Sequence, residues 1–190
     1  EDIVAGSYLI VFKNGDKHLA MEPLTASKTY GYLNAVEVTP EDDVITMPNA
    51  SYAFTLEAVE TGYNMIMADN RYIFMTGGYN SFNVSAAVAD ANPWTFTLNE
   101  DGTVQIAAVT HNNYIQYSTG YSSAGAYTSP QDGGLLPYLY KDAKAKSGIC
   151  HLLSFFILIL QIYFFLKNAC AFFAQLGSLF SDLSIIDMIF

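Results

Sequence analysis

Three segments of the chain share one pattern: an apolar run, a polar turn and a second apolar run. This repeat constrains the fold more than any other feature. The segments are residues 8–21, 63–75 and 104–117. Their turns contain Asn, Asp and Gly, which tolerate the positive φ angles of tight hairpins. Each segment is therefore predicted to form a β-hairpin.

The three units also end alike. Residues 52–56 (Tyr-Ala-Phe-Thr-Leu) resemble residues 94–98 (Trp-Thr-Phe-Thr-Leu) and, more weakly, residues 136–140. Trp94 and Phe96 lie on a strand with alternating polarity, which predicts that both side chains belong to the core. The first unit is longer than the others, which predicts an insertion around residues 40–43.

A third similarity between the units lies in the middle of each one. It comprises residues 30–33, 78–82 and 120–124, which we call the middle segments. A period of about 40 residues with several short strands per unit indicates an all-β, radially repeated architecture. Three units predict a three-fold repeated β-hairpin barrel of the β-trefoil type, with a β-sandwich as the alternative. Closure of the barrel would remove exposed sheet edges.

The composition changes sharply near Lys144. Thirteen of the 14 Tyr precede it, whereas eight of the 13 Phe and both Cys follow it. We therefore predict two parts, a β-repeat module at residues 1–143 and a hydrophobic tail at residues 144–190. The module has no Cys, so no disulfide stabilises it, and about 140 residues are enough to bury a core.

The β-repeat module is strongly acidic. Residues 1–143 contain 16 acidic and five basic residues, a net charge of −11. Such a surface repels phosphate backbones, so we expect no nucleic-acid partner. The chain begins at Glu1 with neither an initiator Met nor a signal peptide, and we interpret it as a mature chain or a fragment.

The tail contains an uncharged run of 18 residues at 149–166. A helix of that length would be about 27 Å long, close to the thickness of a bilayer core. Three interpretations stay open: a membrane anchor, a helical extension that packs on a partner, and an out-of-frame extension. An intact reading frame in the nucleotide locus would remove the out-of-frame interpretation.

We expect no catalytic apparatus, no metal site and no cofactor. The sequence has no zinc-type His or Cys spacing, no Gly-x-Ser-x-Gly elbow and no phosphate-binding Gly-rich motif. His18 and His111 are interpreted as solvated turn residues. The acidic loops at residues 41–43 and 99–102 do not match an EF-hand, and the second is typical of a hairpin turn.

Aromatic residues in Gly- and Ser-rich connections are the main candidates for ligand contact: Tyr30, Tyr32, Tyr79, Phe82, Tyr121 and Tyr127. Rings of this kind can stack on the apolar faces of sugars while the phenol keeps a polar group. The predicted contact surface is Tyr79, Phe82, Tyr121 and Tyr127. The competing interpretation is that these rings fill gaps between the units.

Two stretches resemble a known family. Residues 113–127 (Asn-Tyr-Ile-Gln-Tyr-Ser-Thr-Gly-Tyr-Ser-Ser-Ala-Gly-Ala-Tyr) and 136–141 (Leu-Pro-Tyr-Leu-Tyr-Lys) are similar to a C-terminal module of exported proteins from gut Bacteroidetes. Modules of that kind occur beside endonuclease/exonuclease/phosphatase or protease domains and in lipoproteins. The resemblance implies export and an accessory role, and Ala124 departs from it where the family often has Phe.

The expected function is therefore a non-catalytic binding or accessory module of an exported or cell-surface bacterial protein, placed extracellularly, in the periplasm or at the cell surface. A glycan or another surface polymer is the expected ligand. The alternative is a structural spacer of a larger secreted enzyme, with an upstream catalytic domain in the same chain and no ligand of its own. A membrane is a further expected partner, through residues 149–166.

Overall fold

The computed structural model describes residues 2–41, 44–45 and 49–141. The regular structure of this part is almost entirely extended. The strands are β1 (Gly6–Asn14), β2 (Lys17–Met21), β3 (Tyr30–Gly31), β4 (Ala35–Val38), β5 (Pro40–Glu41), β6 (Val44–Ile45), β7 (Phe54–Val59), β8 (Gly62–Met67), β9 (Tyr72–Phe74), β10 (Phe82–Ser85), β11 (Trp94–Leu98), β12 (Val104–Ala108), β13 (Tyr114–Ser118), β14 (Ser123–Tyr127), β15 (Gly134–Leu135) and β16 (Pro137–Lys141). Two single 3-10 turns, Ala50–Tyr52 and Val88–Asp90, accompany them. The expectation of an all-β fold is confirmed.

All three repeated segments form antiparallel hairpins. They are β1–β2, β8–β9 and β12–β13. Two of the predicted turns contain a residue in the left-handed region, Gly15 with φ of 60° and Asn70 with φ of 65°. These are the residue types that adopt positive φ at low cost, which is why the hairpins form at these places in the sequence.

Fourteen of the strands join one antiparallel sheet. Its longest hydrogen-bonded path runs β14-β13-β12-β11-β8-β7-β1-β2-β4. The similar unit ends are β7, β11 and β16, and β16 pairs with β1, where Ile10 lies opposite Leu139. In the described part the strands belong to one network rather than to the two packed sheets of a β-sandwich. The remaining strands, β5 and β6, form a small hairpin at the predicted insertion.

The main core lies on one side of the sheet. Its largest fully buried side chains are Trp94, Phe12, Phe54, Phe82, Ile10, Met21, Leu33, Leu56, Met65 and Ile73. The indole N–H of Trp94 donates a 2.8 Å hydrogen bond to the carbonyl of Ile73, so the single Trp is satisfied as well as buried. The predicted core position of Trp94 is confirmed. Phe96, two residues along, is half-buried and packs edge-on against Tyr63.

Strand β1 is buried on both faces. Ile10 and Phe12 point into the main core, whereas Leu9 and Val11 belong to a second, smaller cluster with Ala20 and Val38. A strand covered on both faces needs a continuous apolar run, and residues 8–12 (Tyr-Leu-Ile-Val-Phe) supply it. The second cluster therefore explains why β1 does not alternate in polarity.

Two predictions from the sequence concern the C-terminal tail, which follows the strands described above. The hydrophobic tail at 144–190, with the candidate membrane helix at 149–166, lies outside the described residues. Within residues 2–41, 44–45 and 49–141, no helix is long and apolar enough to cross a membrane.

Candidate binding site

The middle segment of the first unit is hydrogen bonded to those of the other two. Strands β3 and β10 pair antiparallel, with Gly31 opposite Phe82. On the other side, Leu33 and Ala124 form an isolated antiparallel bridge through two backbone hydrogen bonds of 3.0 and 2.7 Å. The backbone therefore brings residues far apart in sequence into direct contact.

The middle segment of the second unit also contacts strand β14, which continues the third middle segment. The carbonyl oxygen of Asn80 accepts a 2.9 Å hydrogen bond from the N–H of Ala126. The first middle segment is thus joined directly to the other two, and the second is joined to the strand that follows the third. The sequence predicted the three motifs but not their convergence.

The last residue of each middle segment points inward. Leu33, Phe82 and Ala124 are each no more than 1 % exposed. Phe82 packs with its ring centroid 6.1 Å from that of Trp94. The structure therefore places Phe82, one of the four predicted contact residues, inside the core and outside any exposed surface. Its position on β10, where buried and half-buried side chains alternate, is the physical reason.

Three residues before each of these buried positions lies an exposed tyrosine. Tyr79 and Tyr121 are each 79 % exposed, and Tyr30 is 67 % exposed. Tyr32, in the first segment, is 49 % exposed. Large aromatic side chains left open to water on segments that pair with one another are informative, because isolated exposed apolar residues are common but groups of them mark interaction sites. We call these four residues the tyrosine surface.

Tyr127 lies under this surface rather than on it. It ends strand β14 and is only 4 % exposed. Burial raises the pKa of its phenol above the ordinary value of 10.0, and the negative charges of ionised Tyr32 and Tyr121 raise it further. These interactions indicate that the three phenols lie near one another. Of the four predicted contact residues, the structure therefore exposes Tyr79 and Tyr121 and buries Phe82 and Tyr127.

Gly125, in strand β14 next to the third middle segment, packs closely against the middle segments of the other two units. A Cβ atom at Gly125 would lie 2.9 Å from the carbonyl oxygen of Asn80 and 2.9 Å from two ring carbons of Tyr32. Only a residue without a side chain allows this approach. The sequence analysis missed Gly125, and no local signal marks it, because its backbone φ is not in the left-handed region.

The loop that carries Tyr79 is held at both ends. The hydroxyl of Thr76 lies 3.2 Å from the amide oxygen of Asn83, and Gly77, with φ of 80°, packs directly under the ring of His111. His111 is therefore a half-buried packing residue rather than a solvated one. Its contact positions the exposed loop of the second unit against a turn of the third.

The turn that carries Tyr121 has a strained backbone. Ser122 adopts φ of 51°, a left-handed conformation that is costly for a residue with a Cβ. The backbone N–H of Tyr121 points to the hydroxyl of Ser118 at 3.4 Å. Backbone strain of this kind is concentrated at functional sites.

His18 is not a solvated turn residue. It lies in strand β2, is half-buried, and its Nδ1 is shielded from solvent with no hydrogen-bond partner among the described residues. The interpretation from the sequence is corrected here because the hairpin turn ends at Asp16, two residues before His18, and strand β2 has already begun at Lys17.

The acidic loops do not form a metal site in the part of the chain that the structure describes. No group of three His, Cys, Asp or Glu residues is arranged to hold an ion there. In the loop at 99–102, the carboxylate of Asp101 accepts hydrogen bonds from the hydroxyl and the backbone N–H of Thr103, at 2.6 and 2.9 Å. These bonds lower the pKa of Asp101 and close the β11–β12 hairpin. Residues 42–43 of the other loop lie outside the described residues.

No known family model matches the chain, and no curated protein matches its sequence.

Proposed function

We propose that residues 1–143 are a non-catalytic binding module that holds a glycan on the tyrosine surface. The observation that carries the proposal is the exposure of Tyr30, Tyr79 and Tyr121 at corresponding positions of the three units, each three residues before a buried side chain. The structure leaves these rings open to water although a core lies directly beneath them. Ring faces exposed in this way are suited to bury the C–H faces of sugars.

The residues around the tyrosines suit the same ligand. The middle segments contain Ser, Asn and Gly beside the aromatic rings. Tyr supplies large contact area at low entropic cost, while Ser, Asn and backbone groups supply hydrogen bonds. A sugar ring presents both an apolar face and hydroxyl groups, so both kinds of contact would be used.

We propose further that the module is a three-fold β-trefoil. Strands β16, β1, β7, β8, β11 and β12 are hydrogen bonded in that order, and β12 lies beside β16. This arrangement supports a six-stranded ring, with β2–β4, β9–β10 and β13–β14 as cap hairpins. A crystal structure with β12 and β16 far apart would contradict the proposal.

We also propose a cellular location and a parent protein for the module. An exported or cell-surface protein is supported by the acidic surface and by the resemblance at residues 113–127 and 136–141. In that setting the module would place an upstream catalytic domain, or a membrane anchor at residues 149–166, close to a glycan. The alternative role is that of a spacer without a ligand.

A glycan array with the full chain tests the proposal. The apolar tail calls for a detergent, and a polyoxyethylene detergent is suitable because it carries no sugar. We expect retention of at least one glycan, and weaker retention by Tyr79→Ala and by Tyr121→Ala. Leu98→Ala is the matched control, because Leu98 is 51 % exposed but lies on β11, outside the middle segments.

Each outcome of the array is decisive. Retention lost in both tyrosine variants but kept in the Leu98 variant supports the proposal. Retention unchanged in both tyrosine variants removes Tyr79 and Tyr121 from the contact surface. No retention of any glycan by the wild-type chain favours the spacer role.

A further inference from the structure

Formal charge is absent from the stretches of chain that build the tyrosine surface. Residues 29–36, 72–89 and 102–131 contain no Asp, Glu, Lys or Arg, and each stretch includes one middle segment. The last stretch is 30 residues long, in a module that has 21 charged residues among 143. Three uncharged stretches that carry these tyrosines, in a module with net charge −11, are a specific feature that the glycan proposal alone does not explain.

The basic residues nearest to this surface in sequence do not supply an anion site. Arg71 immediately precedes the second uncharged stretch, and its guanidinium is already engaged. It contacts Asp69 at 2.7 Å and donates to the carbonyls of Lys28 and Leu24 at 2.6 and 2.7 Å. Lys28 alone lies beside the first stretch. One lysine does not offset the surrounding negative charge, so a polyanion would be repelled.

The tyrosines also come from different units. Tyr30, Tyr79 and Tyr121 occupy corresponding positions in three segments that are hydrogen bonded to one another. One sugar ring covers the face of about one aromatic ring. A ligand that contacts tyrosines of two segments at once must therefore have several sugars in a row. Two weak contacts joined in one ligand act with a high effective concentration, which raises affinity well above that of either contact.

We propose that the ligand is an uncharged glycan chain whose successive sugar rings are held at the same time by Tyr79 and Tyr121. This inference rests on the proposed function and specifies its ligand class. It excludes single sugars and it excludes glycans rich in carboxylate or sulfate. Binding of such a chain is insensitive to salt, because no ion pair forms and no counterion is released.

The first experiment tests the charge of the ligand. The full chain is passed over immobilised amylose, xylan, mannan and hydroxyethyl cellulose, and over the carboxymethylated form of each. We expect a neutral polymer to be retained at least tenfold more strongly than its carboxymethylated form. Retention should change less than twofold between 50 and 500 mM NaCl.

The second experiment tests simultaneous contact. Calorimetric titration of the retained neutral polymer, cut into chains of one to eight sugars, should show affinity that rises at least a hundredfold with length. Tyr79→Ala and Tyr121→Ala should each raise Kd at least tenfold with unchanged stoichiometry. Leu98→Ala should match the wild type.

The outcomes separate this inference from the proposed function. Stronger retention of a carboxymethylated polymer, a single sugar bound as tightly as a chain, or a variant that loses binding sites while keeping its Kd overturns the inference and leaves glycan binding in place. Retention of no polymer of either kind overturns both.

Discussion

Replacing Gly125 with alanine tests whether the three middle segments pack as tightly as the structure indicates. The added Cβ would lie 2.9 Å from the Asn80 carbonyl oxygen and from two carbons of the Tyr32 ring. Optimal separations between such atoms are about 3.5–4.0 Å. The Tyr32 ring can rotate away, but the Asn80 carbonyl is held by its hydrogen bond to Ala126, so the backbone itself must move.

The size of the effect follows from two opposing terms. Overpacking of a closely packed site costs about 1–3 kcal/mol. Replacing Gly by Ala stabilises a protein by about 0.4–1 kcal/mol through the unfolded chain. We therefore expect Gly125→Ala to lower the free energy of unfolding by about 1–2 kcal/mol, which corresponds to a decrease in Tm of several degrees.

Gly78→Ala is the matched control. Gly78 lies in the middle segment of the second unit, and a Cβ there would meet no atom within 4 Å. Its φ is not in the left-handed region, so alanine fits without strain. We expect this variant to be as stable as the wild type or more stable by up to about 1 kcal/mol.

Urea unfolding followed by tryptophan fluorescence measures both variants. Trp94 is the only Trp of the chain and is fully buried, so its emission reports on the β-sheet unit and not on the tail. A Gly125→Ala midpoint equal to or above that of Gly78→Ala would refute the close approach of Tyr32 and Asn80.

Three further predictions concern single side chains. Trp94→Phe removes the indole hydrogen bond to Ile73 and leaves a small cavity, so the free energy of unfolding should fall by about 2–3 kcal/mol. Urea unfolding followed by circular dichroism measures this change. A loss below about 0.5 kcal/mol contradicts the prediction. Because the pKa of Tyr127 is raised in the folded state, its protonated phenol stabilises the fold fully below about pH 10, and this stabilisation is lost as the pH rises through the folded pKa. The urea midpoint of the wild type should therefore fall with rising alkaline pH more steeply than that of Tyr127→Phe. An equal fall in both proteins contradicts this. Because the pKa of Asp101 is lowered in the folded state, its carboxylate stabilises the fold above about pH 4, and this stabilisation is lost as the pH falls through the folded pKa. Thr103→Val removes the hydroxyl that donates to this carboxylate, so the Asp101 pKa measured by carbon NMR should rise. An unchanged pKa would contradict the hydrogen bond.

The hairpins were predictable because their signals are local. A turn at Gly15 or Asn70 depends on the φ preference of that residue, and the flanking apolar runs are read from neighbouring positions. The same holds for Trp94, whose strand alternates in polarity. Strand β1 is a harder case, because its uninterrupted apolar run predicts burial on both faces but not which cluster each face joins.

The candidate site was predictable only in part. Tyr79, Phe82, Tyr121 and Tyr127 have similar Gly- and Ser-rich neighbours, yet two of them are exposed and two are buried. The difference depends on segments distant in sequence, such as β3 opposite Phe82. No local pattern contains that information.

The sequence by itself determined that the module is an acidic β-protein with hairpins at three repeated places, because turn chemistry and polarity patterns act over a few residues. Only the tertiary structure decided that the first middle segment pairs with the other two, that Gly125 packs closely against Asn80 and Tyr32, and that Tyr30, Tyr79 and Tyr121 remain exposed. Those facts depend on backbone hydrogen bonds between residues about 40 to 90 positions apart, and such pairings are selected by the packing of the whole core.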